Sequence, residues 1–240
     1  MKTKSNILHG LIINSVIVCL LVSVFCVGFA FNKSGSVFDK TGRGAIYSGD
    51  KNKAEVCIMF NVYGGTEYIP DILATLKKHD VKVTFFVGGC WVAKNEDVFL
   101  KIIADGHEIG SHGYFHKDHA KLDYEGNYNE IFVTHKLVKE LAGIEMNLFA
   151  PPSGSFDSLT LKVADKLNYT TIMWSKDTID WRDHDVNKIY SRATKNVKNG
   201  DFVLMHPTKH TAAALDKIIS FYRVNGFSVG MVGNNIKGIT

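Results

Sequence analysis

His112 and His116 stand four positions apart in Gly110-Ser111-His112-Gly113-Tyr114-Phe115-His116. At that spacing two imidazoles can face one cation, and imidazole is the commonest protein ligand for zinc. A His-x-x-x-His pair on its own is a weak signal, because two half-exposed loop or helix histidines give the same pattern. Its weight comes from four other segments that carry chemistry: Asn61 to Glu67, Pro151 to Ser155, Asp177 to Trp181, and His206.

The elements that must position these residues alternate between strand-like and helix-like runs, the mark of a parallel sheet or barrel with helices outside. Val56–Phe60, Val81–Val87, Thr170–Trp174, Phe202–Met205 and Ser228–Val232 read as strands, while Glu108-Ile109-Gly110 is too short to assign and Leu148-Phe149-Ala150 leads into a Pro-Pro-Ser-Gly turn. Apolar spacing predicts helices over Pro70–His79, Val98–Ala104, Tyr128–Leu141, Leu159–Leu167, Val186–Val197 and Thr211–Asn225. No solenoid-type repeat is present, and about seven strand–helix units fit a barrel better than an open sheet. In a barrel the segments following the strands gather at one rim, where active sites are built, and all five segments fall there.

The N-terminus is of a different kind. Ile7 to Phe31 is a run of 25 residues without Asp, Glu, Lys or Arg. Such a run spans a bilayer core as a helix, whereas the apolar part of a cleavable signal is usually about 7–15 residues long. A retained single-pass anchor is therefore expected over residues 7–31, with Gly28-Phe29-Ala30 as the alternative cleavage point. Lys2 and Lys4 precede the run and no acidic residue occurs among the first 38, which places residues 1–6 in the cytoplasm and the rest outside the cell membrane. Residues 32–52, rich in Lys, Gly and Ser, read as a linker, and the folded domain is expected over 53–235. The net charge of +4 is mildly basic, and no Lys/Arg cluster with interleaved aromatics appears, so nucleic-acid binding is not expected. Cys57 and Cys90 are left in the exported part, where one disulfide or two buried thiols are open readings.

Taken in order, the five segments resemble the polysaccharide deacetylases with a NodB-type domain, carbohydrate esterase family 4, over roughly residues 53–235. The resemblance implies a distorted (β/α) barrel that removes N-acetyl groups from peptidoglycan, chitin-like or related amino-sugar polymers with a bound divalent metal, zinc being the expected one. His112-Gly113-Tyr114-Phe115-His116 matches the family's His-[Ser/Thr]-x-x-His, which supplies two metal ligands; Gly113 replaces the hydroxyl residue, and a looser loop is expected. Ala150-Pro151-Pro152-Ser153-Gly154 matches a groove-wall segment whose arginine is absent here, leaving Pro152 as a substrate contact. Asp177-Thr178-Ile179-Asp180-Trp181 is intact, and His206 occupies the place of the general acid.

The first segment departs from the pattern. The family's Thr-Phe-Asp-Asp-Gly aligns with Met59-Phe60-Asn61-Val62-Tyr63, so one carboxylate becomes an amide and the other, a metal ligand, an aliphatic side chain. Asn61 cannot take a proton from water as a carboxylate does, and Val62 cannot bind a cation. In relatives the arginine pairs with the first aspartate, so its replacement by Ala150 belongs to the same change. The Asn61–Tyr68 stretch is similar to a membrane-anchored subgroup from endospore-forming bacteria.

Glu67 is the substitute carboxylate, as third metal ligand or as base; equally it reads as a helix-start carboxylate beside a capping Thr66. Asp177 or Asp180 is expected to hold the tautomer of His206, and Asn61, Tyr63 and Trp181 to meet the sugar. His107 reads as a packing histidine and His119 as a spare ligand. Two functions follow. One is metal-dependent deacetylation of a cell-wall polysaccharide, with His112, His116 and Glu67 on the metal and His206, Asp177, Asp180 and Glu67 in the chemistry. The other is a catalytically impaired barrel that binds glycan at the cell surface.

Overall fold

The structure is a computed structural model that describes residues 44–238. The chain divides into Met1–Thr41, outside those residues, and a compact unit, Gly42–Thr240. The expected anchor at 7–31 therefore lies outside the described residues; among the described ones no helix is long and apolar enough to cross a membrane.

Eight strands form one sheet in which every strand pair is parallel: β1 (Glu55–Val62), β2 (Thr84–Val87), β3 (Glu108–Ser111), β4 (Leu148–Phe149), β5 (Thr170–Thr171), β6 (Lys176–Asp177), β7 (Phe202–Met205) and β8 (Ser228–Gly230). The order is β5-β4-β3-β2-β1-β7-β6, with β8 beside the start of β1. Side-chain alternation along a strand sorts the residues into two apolar layers. Val56, Ile58, Phe60 and Val62 of β1 join Phe85, Val87, Val203 and Met205 in the large cluster that meets the helices. Cys57 and Met59 join Phe86, Phe202 and Leu204 in a smaller inner cluster. By the same alternation Asn61 is on the inner face and Val62 on the helix face.

The ends of the sheet, β5 and β6, are two residues each and are not paired with one another, so the barrel is a curled, open one. Ile46 bridges Ile172 and Ser48 bridges Asp201, placing the end of the predicted linker across that opening. Ile46 packs on the inner cluster, which gives the segment an apolar reason to be ordered.

Helices α1 (Ile69–Lys78), α2 (Gly89–Lys94), α3 (Glu96–Ala104), α4 (Tyr124–Ala142), α5 (Ser158–Lys166), α6 (Asp180–Asp183), α7 (Val186–Thr194), α8 (Lys209–Val224) and α9 (Val232–Ile236) complete the unit. Helix α4 starts four residues before the apolar pattern suggests, because Asp123 caps it by accepting the Gly126 N–H at 2.8 Å. Its C-terminus closes on Gly143 in the left-handed region. The short α2 and α9 are too brief to carry a helical period and were not anticipated.

Candidate functional site

The residues that follow β1, β3, β4, β6 and β7 meet at one rim of the curled sheet. His112 directly follows β3 and is 2% exposed. Its Nδ1 lies 2.7 Å from the Ala150 carbonyl, so that nitrogen carries the proton and Nε2 keeps its lone pair. The His116 ring is 5.0 Å away, nearly edge-on, on a residue with φ of 57°. Burial, and after it the neighbouring His116, pushes the His112 imidazole down to about 3; burial lowers His116 as well. Both rings are held neutral, the form that binds a cation. His206 is close enough for its charge to act on both.

His206 and Asp180 are joined by hydrogen bonds on one side of the site. The His206 Nδ1 is 2.8 Å from one Asp180 oxygen, while the His206 backbone N–H at 2.7 Å and the Thr211 hydroxyl at 2.5 Å donate to the other. Asp180 is fully buried. Burial alone would raise its carboxyl, but the hydrogen bonds from His206 and Thr211 and the His206 charge outweigh burial and hold it below the usual carboxylate range. A base that keeps Nδ1 protonated aims Nε2 outward, the orientation a proton donor or acceptor to substrate needs. Asp177 does something else: it accepts the Ile179 N–H at 2.8 Å and shapes the turn. Trp181, 55% exposed, stands on α6, which is tied down where Arg192 donates to the Thr178 carbonyl and pairs with Asp183.

The opposite side is changed. Asn61 is buried and its Oδ1 has no hydrogen-bond partner. Ala150, where relatives carry the arginine, is fully buried in the inner cluster and offers no donor side chain. An orphaned neutral acceptor costs about 1–3 kcal/mol, less than an unpaired carboxylate would, which accounts for amide and alanine occurring together. Val62 is fully buried in the outer apolar layer.

Glu67 lies on the exposed side of a short 3-10 turn, Thr66–Tyr68. Thr66 does not cap that turn; its hydroxyl accepts the Trp91 indole N–H at 2.8 Å. Among the described residues, no three His, Cys, Asp or Glu side chains are grouped so as to hold a metal ion. A catalytic zinc site takes three protein ligands, and Glu67, exposed on its turn, is not grouped with the two imidazoles.

Other candidates resolve as follows. Tyr63 is 39% exposed with its ring 4.9 Å from that of His116. Pro152 is buried in the loop after β4. Cys57 and Cys90 are free thiols. His107 is buried, accepts the Val83 N–H at 3.3 Å and is lowered to about 4, chiefly by burial. His119 is fully buried with Nδ1 2.7 Å from the Asn127 Oδ1; Asn127 donates to three backbone carbonyls, which fixes its amide and leaves His119 Nε2 unpartnered.

Sequence reasoning missed Glu130 and Thr211. Glu130 accepts the Tyr114 and Phe115 N–H groups, each at 2.8 Å, so the histidine loop is held from helix α4 although Gly113 brings no hydroxyl. A signal was present: Asn127, Glu130 and Thr134 interrupt the apolar stripe of α4 at helical spacing, and buried polar residues there need partners.

Comparison with known proteins agrees with this geometry. The polysaccharide deacetylase family model matches residues 48–172, more than half of the chain. The uncharacterized protein YlxY of Bacillus subtilis is 38% identical over 187 residues, 78% of this chain and 59% of that relative, so the chain spans under two thirds of its length. A peptidoglycan-N-acetylglucosamine deacetylase of Bacillus cereus is 35% identical over 185 residues, 75% of this chain and 67% of the relative. Among solved structures, BA3943, a CE4 family pseudoenzyme from Bacillus anthracis, matches with a TM-score of 0.78 at 38% identity, covering 80% of this chain and 68% of that one. A mutant of that pseudoenzyme with restored enzymatic activity also gives 0.78, at 36% identity and 80% and 71% coverage. A curled parallel barrel with an Asp–His pair and a two-histidine loop on one rim, matched in sequence and in structure, places this chain in the polysaccharide deacetylase family.

Proposed function

We propose that this chain binds an N-acetylated cell-wall amino-sugar glycan at the rim of its barrel and that its hydrolytic centre is impaired. The observation that carries the reading is Val62, fully buried in the apolar layer at the position where the family places a metal-binding carboxylate. The likeness to a pseudoenzyme supports it, and the likeness to a peptidoglycan-N-acetylglucosamine deacetylase supports the substrate class. Tyr63 and Trp181, both exposed, offer ring faces to sugars, and in this reading Asn61 and Pro152, both buried, stand behind them as further glycan contacts. We further propose that residues 7–31 anchor the chain in the cell membrane with the barrel outside, where such a glycan is met.

A second reading, metal-dependent hydrolysis of the N-acetyl groups, is favoured by the intact Asp180–His206 pair, since a binding groove alone has no use for an oriented proton donor. In that reading Glu67 has to move to the histidines as ligand or base. Acetate release from N-acetylated peptidoglycan separates the two. Under the first reading the full-length chain binds the polymer without releasing acetate, and Asn61→Asp/Val62→Asp/Ala150→Arg gains turnover. Release by the parent chain, abolished by Glu67→Gln, would replace the first reading with the second.

A further inference from the structure

The loop that carries the two histidines is held from both sides. Gly113 and His116, with φ of 71° and 57°, are its two left-handed bends. Between them the Tyr114 and Phe115 amides share one Glu130 oxygen at 2.8 Å each. The carbonyls of Gly113 and Tyr114 accept from the Gly89 and Cys90 N–H groups at the start of α2, at 2.9 and 3.0 Å. Glu130 is 3% exposed, and its other oxygen lies 3.7 Å from the Lys117 ammonium. A β-carbon at Gly113 would sit 3.0 Å from the Glu130 carboxylate and 3.2 Å from His119, so a side chain at 113 would crowd both. Glu130 therefore steadies this loop from helix α4.

The consequence falls on Phe115. Its backbone is pinned, yet its ring is 55% exposed at the rim. Tyr114 supports it edge-on at 4.6 Å between centroids, and the Lys117 ammonium stands 5.4 Å from its centroid. A large apolar ring held in water on a rigid backbone contributes little to the core, and such a ring loses little conformational entropy when a ligand covers it.

We propose that Phe115 is a stacking platform for a pyranose ring of the N-acetylated glycan and that Glu130 is the positioning residue that sets its orientation. This rests on the glycan-binding reading. The test is calorimetric titration of the full-length chain and its variants with hexa-N-acetylchitohexaose, together with amide exchange at Tyr114 and Phe115. Loss of an aromatic contact of about 1 kcal/mol corresponds to roughly five- to tenfold weaker binding. Phe115→Leu, which keeps apolar area without a π-face, is expected to bind that much more weakly, and Phe115→Tyr within about twofold of the parent. Glu130→Ala is expected to weaken binding similarly and to lose exchange protection at both amides. Glu130→Gln, whose carbonyl still accepts both N–H groups, restores protection and affinity.

Parent binding with Phe115→Leu unchanged would overturn the platform and leave glycan binding standing. Unchanged affinity in Glu130→Ala with protection lost would overturn the positioning role. No binding by the parent would overturn this proposal and the reading beneath it together.

Discussion

Val62→Asp tests the reading of this site most directly. Val62 is 0% exposed on the face of β1 that also carries Val56, Ile58 and Phe60. Removing a fully buried valine side chain forfeits about 1.5–3 kcal/mol of apolar burial. A carboxyl placed there meets the same apolar layer, and an unpaired polar group adds about 1–3 kcal/mol even after it takes up a proton. The expected loss is therefore about 2.5–6 kcal/mol, read as a lower urea midpoint at pH 7 with an unchanged slope. Excess zinc gives the second readout. If the new carboxylate completes a site with His112 and His116, zinc at about 100 times its Kd returns about 2.7 kcal/mol to the variant. The parent, with two imidazoles and no third ligand grouped with them among the described residues, is expected to gain far less. A variant as stable as the parent without metal would refute the placement of Val62 in the apolar layer. Equal stabilisation of parent and variant by zinc would show that a third ligand is already in place.

Asp180→Asn leaves one oxygen to serve the His206 ring, the His206 N–H and the Thr211 hydroxyl, so at least one donor loses its partner; a fall in stability of about 2 kcal/mol, or about 4–8 °C in Tm, is expected by calorimetry. Because the Asp180 carboxyl is held below its usual value, its contribution is present above about pH 4 and is lost as pH falls through the folded value, and that loss disappears in the variant. His107 acts in the same direction at higher pH. Its imidazole is lowered from 6.5 to about 4, so the unfolded chain binds the proton first and stability falls as pH drops across that window. His107→Gln is expected to flatten the pH dependence of the urea midpoint near pH 5 by about one proton. An unchanged slope would mean that Val83 and Phe85 do not keep the ring dry.

The order of strands and helices was legible in the chain because each buried strand is a short apolar run and each long helix repeats its apolar residues at helical spacing. The composition of the rim was legible too: Asn61 lies near the end of its strand, His112, Ala150 and His206 directly follow theirs, Asp180 stands three residues past β6, and a parallel barrel must bring such positions together. That Asn61 and Val62 offer no carboxylate follows from residue type alone, since neither an amide nor an alkyl group does a carboxylate's work.

What the sequence left open depended on direction and distance, which spacing along a chain does not encode. Asp177 and Asp180 are interchangeable as letters, and only the fold shows Asp180 beneath His206 while Asp177 closes a turn. Glu67 was a plausible third ligand at six residues from Asn61, yet it faces solvent from a 3-10 turn. The loop expected to loosen at Gly113 is held by Glu130, a residue from another element whose carboxylate reaches it across the interface of α4 with the rim. Residue types set which groups were available for chemistry; tertiary packing decided which of them meet, because hydrogen bonds and ligand contacts form over about 3 Å between atoms that the chain itself keeps far apart.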